Sequence, residues 1–110
     1  MTTGKAIGSI ADMKATLLVR TRIIYSTKSF AELVLWELPI PVAGSRHRFK
    51  YRLAYVVEGR CVLRYDNETG KGDHRHYGQS ESVYRFSSPQ QLVADFERDI
   101  ARWDRENRNS

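Results

Sequence analysis

Paired runs of β-branched and aliphatic residues, each pair joined by a short polar or glycine-containing break, constrain this chain more than any other feature. Residues 16–25 and 30–38 flank the polar turn 26–29, and residues 49–57 and 60–66 flank Glu58-Gly59. Each pair reads as an antiparallel hairpin. Pro39, Pro41 and Gly44 interrupt any ladder, so residues 39–45 should cross from the first hairpin to the second.

The one helix signal follows at the end. Ser88-Pro89-Gln90-Gln91 combines an N-cap serine, proline at the first helical position and glutamine three residues after the cap, as in a capping box. Leu92, Val93, Phe96, Ile100 and Trp103 then recur at helical spacing and mark a face that packs onto the sheet. Asp95, Asp99 and Glu106 fall to the solvated side, with Asp95/Arg98 and Asp99/Arg102 as i,i+3 pairs. Trp36 and Trp103 read as core or interface aromatics. The expected fold is α+β: a mostly antiparallel sheet of about four strands in two hairpins, with one C-terminal helix packed on a face.

A chain of 110 residues, 41% of them apolar, supports one domain with a single modest core. Its formal charge of +5 is unevenly spread: residues 44–78 hold eight Lys/Arg against four Asp/Glu, whereas residues 89–106 hold three against five. The positive field therefore sits in the middle of the chain and favours a polyanionic partner. The single cysteine, Cys61, excludes an intramolecular disulfide and a cysteine-based zinc cluster; its apolar alternation predicts an inert core thiol. The apolar runs are too short to span a membrane, and residues 1–12 lack the hydrophobic stretch of a secretory signal. A reducing cytoplasm and no membrane partner are expected.

Within the second hairpin, Arg46, Arg48, Lys50 and Arg52 alternate with His47, Phe49, Tyr51, Leu53 and Tyr55, a basic comb backed by aromatics. Such a comb suits a nucleic-acid backbone and equally suits a charge-protected edge strand. A turn centred on Glu58-Gly59 sets Val56 opposite Cys61, Ala54 opposite Leu63 and Arg52 opposite Tyr65, with Lys50 near Asn67. On this register Arg48, Lys50 and Arg52 run towards the next segment as phosphate-binding candidates.

That segment, Tyr65 to His76, reads Y-D-N-E-T-G-K-G-D-H-R-H and gathers the residue types of phosphodiester chemistry into one Gly-punctuated loop. Gly70 and Gly72 allow close backbone approach. Lys71 and Arg75 supply fixed charge, and His74 and His76, with an ordinary pKa of about 6.5, give and take protons near neutrality. RNA can be cleaved without metal by its own 2′-OH if a base takes the hydroxyl proton, an acid protonates the leaving 5′-oxygen and cations stabilise the transition state. His74 and His76 are candidates for base and acid, Lys71 and Arg75 for stabilisation, and Asp73 or Asp66 for orienting an imidazole. Tyr65 and Glu68 are supporting candidates, while Asn67 fits a turn. An Asp73/His74/His76 metal site lacks a distant third ligand of clear spacing, His47 being the remaining imidazole, so no metal or cofactor is expected. The same residues also suit a solvated loop whose histidines cap a strand or helix.

The run M-K-A-T-L-L-V-R from Met13, through K-Y-R-L-A-Y-V-V, R-Y-D-N-E-T-G-K-G-D-H-R-H and Y-R-F to L-V-A-D-F, resembles the small TumE-type toxins of bacterial type II toxin-antitoxin pairs. The resemblance extends from Met13 to Trp103 and implies an RNA-cleaving, growth-inhibiting toxin neutralised by a helix-turn-helix antitoxin encoded beside it. Residues 13–106 are then one toxin-like domain, residues 1–12 a flexible extension and residues 107–110 a flexible tail. The expected function is a metal-independent endoribonuclease acting on RNA, with self-association left open. The alternative is a non-catalytic nucleic-acid-binding or partner-docking module whose loop grips phosphate and cleaves nothing.

Overall fold

A computed structural model describes residues 14–108. The expected extension over residues 1–12 and the last two residues of the expected tail lie outside the described residues. Asn107 ends a helix and Arg108 is its C-cap. The strands are β1 (Thr16–Ile24), β2 (Ser29–Glu37), β3 (Phe49–Val57), β4 (Arg60–Glu68), β5 (Gly72–Tyr77) and β6 (Ser80–Val83), followed by helix α1 (Pro89–Asn107). Every strand pairs antiparallel with the next, so sheet order follows chain order.

The sheet is α+β as expected but has six strands rather than about four. The first four lie where the alternation predicts them. The two-residue β3–β4 loop holds Glu58 at φ 51° and Gly59 at φ 80°, the doubly positive pattern whose twist matches the flanking strands. The added strands come from the stretch expected as a loop. Gly72–Tyr77 has no apolar alternation, and its side chains are all half-buried, so periodicity gives no strand signal there. Backbone pairing to β4 and polar partners on α1 hold it instead.

A second difference changes which residues share a face. Val56 faces Cys61 as expected, but Tyr55 pairs with Leu63, leaving Val62 as an extra residue in β4. Beyond this bulge Ala54 faces Arg64 and Arg52 faces Asp66, in place of Leu63 and Tyr65. The consecutive residues Val62 and Leu63 are 7% and 0% exposed, which a regular pleat cannot achieve on one face. Cys61, just before the bulge, is exposed and not a core thiol.

Helix α1 covers the face that carries Leu33, Leu53, Leu63 and Tyr65. Ser88 caps it, its Oγ accepting from the Gln91 backbone N–H at 3.1 Å. Gln91 bonds forward to Asp95 rather than back to the cap, so only one half of the capping box forms. Leu92, Phe96 and Ile100 are buried, with Val93 and Trp103 packed beside them. Four tyrosines of the sheet side donate to carboxylates of the helix: Tyr84 to Asp95 at 2.5 Å, Tyr65 to Asp99 at 2.6 Å, Tyr55 to Asp104 at 2.7 Å and Tyr77 to Glu106 at 2.5 Å. Asp99 therefore does not lie on the solvated side. It is 2% exposed and takes Arg75 Nε at 2.6 Å, while Arg102 pairs with Glu106. The expected Asp95–Arg98 pair is present at 3.2 Å.

Two outcomes follow from this underside. Asp99→Ala leaves Arg75 and Tyr65 beneath the helix without their acceptor, a change that should cost about 3 kcal/mol in a urea titration. A loss below 0.5 kcal/mol would show the network to be dispensable. Burial first, and the bond to Asp104 second, push the Tyr55 phenol from its ordinary 10.0 up to about 12. Burial and the Glu106 bond do the same for Tyr77, also to about 12. Because the neutral phenol is the donor, this stabilisation is complete below pH 10.0 and lost as pH rises through about 12. Melting temperature should fall across that window, and less steeply in Tyr55→Phe. Equal slopes in the two proteins would exclude Tyr55 as a source of the alkaline loss.

Candidate functional site

The face of the sheet opposite α1 is basic. Strand pairing aligns Arg20, Val34, Arg52, Asp66, His74 and Val83 in one cross-strand row and Arg22, Glu32, Ala54, Arg64, His76 and Glu81 in the next. Residues directly opposed point to the same side of a sheet, so Arg52, Arg64, His74 and His76 share this uncovered face. Arg52 lies two strands from His74, roughly 10 Å between backbones. Lys50 and Glu68 follow on the same face by strand period, and Lys50 Nζ donates to the Asn67 carbonyl at 2.9 Å.

Hydrogen bonds assign different tautomers to the two histidines. Arg64 Nη2, which can only donate, lies 3.0 Å from His76 Nε2, so that nitrogen carries a lone pair. His74 Nε2 lies 2.7 Å from the Lys71 carbonyl, which can only accept, so that nitrogen carries a proton. His74 Nδ1 is buried and sits 3.3 Å from Glu81 Oε2 but lacks hydrogen-bond geometry to it. The same carboxylate oxygen is 3.7 Å from His76 Nε2. Glu81 Oε2 thus faces His74 Nδ1 and His76 Nε2, the ring nitrogens that carry no proton in these neutral tautomers. Arg64 also binds the 7%-exposed Asp66 at 3.1 Å, which makes Asp66 a partner of an arginine rather than of an imidazole.

The other expected site residues lie elsewhere. Arg75 and Tyr65 face the helix and share Asp99, with Arg75 Nε 3.2 Å from the Tyr65 hydroxyl. Arg48, just before β3, reaches Glu37 at 3.7 Å. Lys71 is exposed on the β4–β5 turn, 3.5 Å from Glu68. Asp73 does orient an imidazole, but that of His47: both carboxylate oxygens lie 3.0 Å from His47 Nε2, and Tyr51 donates to Oδ1 at 3.0 Å. The Phe49 backbone N–H donates to His47 Nδ1 at 3.1 Å, so both nitrogens of that ring are engaged. Asp73 therefore does not join His74 and His76, and among the described residues no group of His, Cys, Asp and Glu is arranged to hold a metal ion.

Arg64, Glu81 and His47 are the residues that sequence reasoning missed. The bulge hid Arg64, since a regular register turns it to the helix side; β6 hid Glu81, because a four-residue exposed strand has no apolar pattern. His47 was visible as an imidazole, but nothing in its spacing linked it to Asp73, 26 positions further along the chain.

The fold and this face define a small α+β protein that presents a cationic, histidine-bearing sheet surface beside a helix-bound one. The chain belongs to the Toxin TumE family, whose model matches residues 10–104. Membership in a toxin family implies a cognate antitoxin partner. No curated protein and no solved structure matches the chain. No helix among the described residues is long and apolar enough to cross a membrane.

Nitrogen-15 NMR of the neutral imidazoles should find the proton of His47 and His74 on Nε2 and that of His76 on Nδ1. Observing His76 protonated at Nε2 would mean that the Arg64 contact is absent in solution.

Proposed function

We propose that the toxin is an endoribonuclease and that its helix-free sheet face binds RNA across the scissile phosphate. The observation that carries this reading is the convergence of His74, His76, Arg52 and Arg64 on one uncovered face, one histidine with a lone pair at Nε2 and the other with a proton there. His76 Nε2 takes the 2′-hydroxyl proton as the 2′-oxygen attacks phosphorus. The P–O5′ bond breaks, and His74 Nε2–H protonates the departing 5′-oxygen, leaving a 2′,3′-cyclic phosphate and a 5′-hydroxyl. Arg64 moves from His76 to the phosphate as substrate enters, and Arg52 and Lys50 hold the adjoining backbone. Arg52 makes no ion pair among the described residues, so its charge is available. Glu81, 3.3 Å from His74 Nδ1, stabilises the cationic imidazole that acts as the acid. Arg75 contributes from the other side of the sheet, by fixing β5 to the helix through Asp99.

His74→Ala and His76→Ala should each lower RNA cleavage by roughly a hundredfold to ten-thousandfold and abolish growth inhibition, with melting temperature and antitoxin co-purification retained. Cleavage should persist in chelator, yield 2′,3′-cyclic ends, and fail on DNA and on RNA methylated at the 2′-OH. Full toxicity of the double variant would remove the acid–base roles. Activity that vanishes in chelator and returns with divalent metal, or products ending in 3′-hydroxyl, would replace the mechanism with a metal-assisted one. Salt-sensitive binding of RNA with no turnover would leave a binding module.

A further inference from the structure

A second set of cations, not used above, lines a cleft of about 490 Å³ between residues 44–47, 71–73 and 83–86. Arg46 and Arg85 are exposed there and make no ion pair among the described residues. Lys71, on the same wall, reaches Glu68 only at 3.5 Å across open surface. The cleft's one carboxylate, Asp73, is already engaged by His47 and Tyr51. An entering anion therefore meets Arg46, Arg85 and Lys71 and no unpartnered negative charge. The aromatic part of the wall is ordered too: Phe86 stacks on His47 with centroids 3.9 Å apart and planes 24° from parallel.

The cleft has a rigid frame. The Gly70 N–H donates to the Ala43 carbonyl at 2.6 Å, tying the β2–β3 connection to the β4–β5 turn. Gly44, at φ +89°, passes so near Gly70 that a Cβ there would lie 3.0 Å from its backbone. Lys71 joins the cleft to the histidine face, because its side chain lines the one and its carbonyl takes His74 Nε2 at 2.7 Å on the other.

We infer that this cleft is a phosphate-binding subsite for single-stranded RNA, holding a nucleotide next to the one on the histidine face as the strand rounds the β4–β5 turn. The choice of RNA as the polyanion rests on the proposed function. The cleft's composition favours a nucleotide over an acidic protein segment, since it pairs guanidinium groups with an aromatic wall and a nucleotide uses both.

The test uses the full chain and a 2′-O-methyl oligoribonucleotide, which binds but is not cleaved, with fluorescence anisotropy read across a salt series. Arg46→Ala/Arg85→Ala should bind at least tenfold more weakly at 0.1 M salt and flatten the log K against log salt slope by about 1.4, two single-strand contacts of about 0.7 each. Arg46→Lys/Arg85→Lys keeps the charges and should keep the slope, which separates a lost contact from a lost fold. An unchanged slope and affinity in the alanine variant overturns the subsite. So does failure of the parent protein to bind the oligonucleotide, or normal RNA binding by an alanine variant that has lost affinity for a polyglutamate peptide. The expected slope change between parent and alanine variant, with a parent protein that never cleaves unmodified RNA, would overturn the ribonuclease reading and leave the subsite in place.

Discussion

The extra residue in β4 at Val62 decides which side chains each side of this sheet carries. Side chains alternate with a period of two, so a one-residue shift exchanges the faces of everything beyond it. Without the bulge Arg52 would stand opposite Tyr65, whose partner in β5 is Arg75, and both histidines would lie on the other side. With it, Arg52 aligns with Asp66 and His74 while Tyr65 and Arg75 turn beneath the helix. The cause is apolar: Val62 and Leu63 are both buried, and breaking the pleat between Cys61 and Leu63 lets both pack. Burial of one valine thereby sets the face on which residues far from it lie.

Beneath the helix, the polar groups are arranged to be satisfied rather than excluded. Asp95, Asp99 and Glu106, expected to face water, accept hydrogen bonds from phenols of the sheet side, and the phenols take the place of water. Asp95 shows the balance: burial pushes its carboxyl up, but bonds from Tyr84 and Gln91 and the charge of Arg98 outweigh burial and hold it below 3.8. Such bonds are worth less net than the apolar contacts of Leu92, Phe96 and Ile100, but their geometry fixes the helix along its axis, which non-directional burial leaves free.

Much of this was legible in the sequence because alternation and caps are local. The first four strands, the Glu58-Gly59 turn, the Ser88 cap and the buried helix face each rest on residues close together in the chain. His74, His76 and Arg52 share one face through a register other than the one the Glu58-Gly59 turn alone implies, and that expected register would not have brought them together. What stayed hidden depends on distant residues. Neither Asp99 under Arg75 nor Asp73 under His47 has a local signature, since an aspartate on a helix or in a turn reads as solvated until its partner is known. β5 and β6 were hidden for a related reason: their stability comes from ladder bonds and from carboxylates of α1, not from an apolar stripe of their own.

The two faces also differ in how their charges are answered. On the helix side the half-buried Arg75 cation meets the buried Asp99 carboxylate at 2.6 Å, a pairing whose loss would leave the Asp99 charge uncompensated. On the open side Arg20, Arg52 and His74 share a row with one carboxylate, Asp66, and that group already binds Arg64. Arg20 and Arg52 stand on alternate strands, roughly 10 Å apart between backbones, a distance at which solvent and salt largely screen their repulsion. The sheet is therefore tied to the helix on one side, while on its open side Arg20 and Arg52 make no ion pair among the described residues, so replacing either leaves the bonds that hold the fold in place.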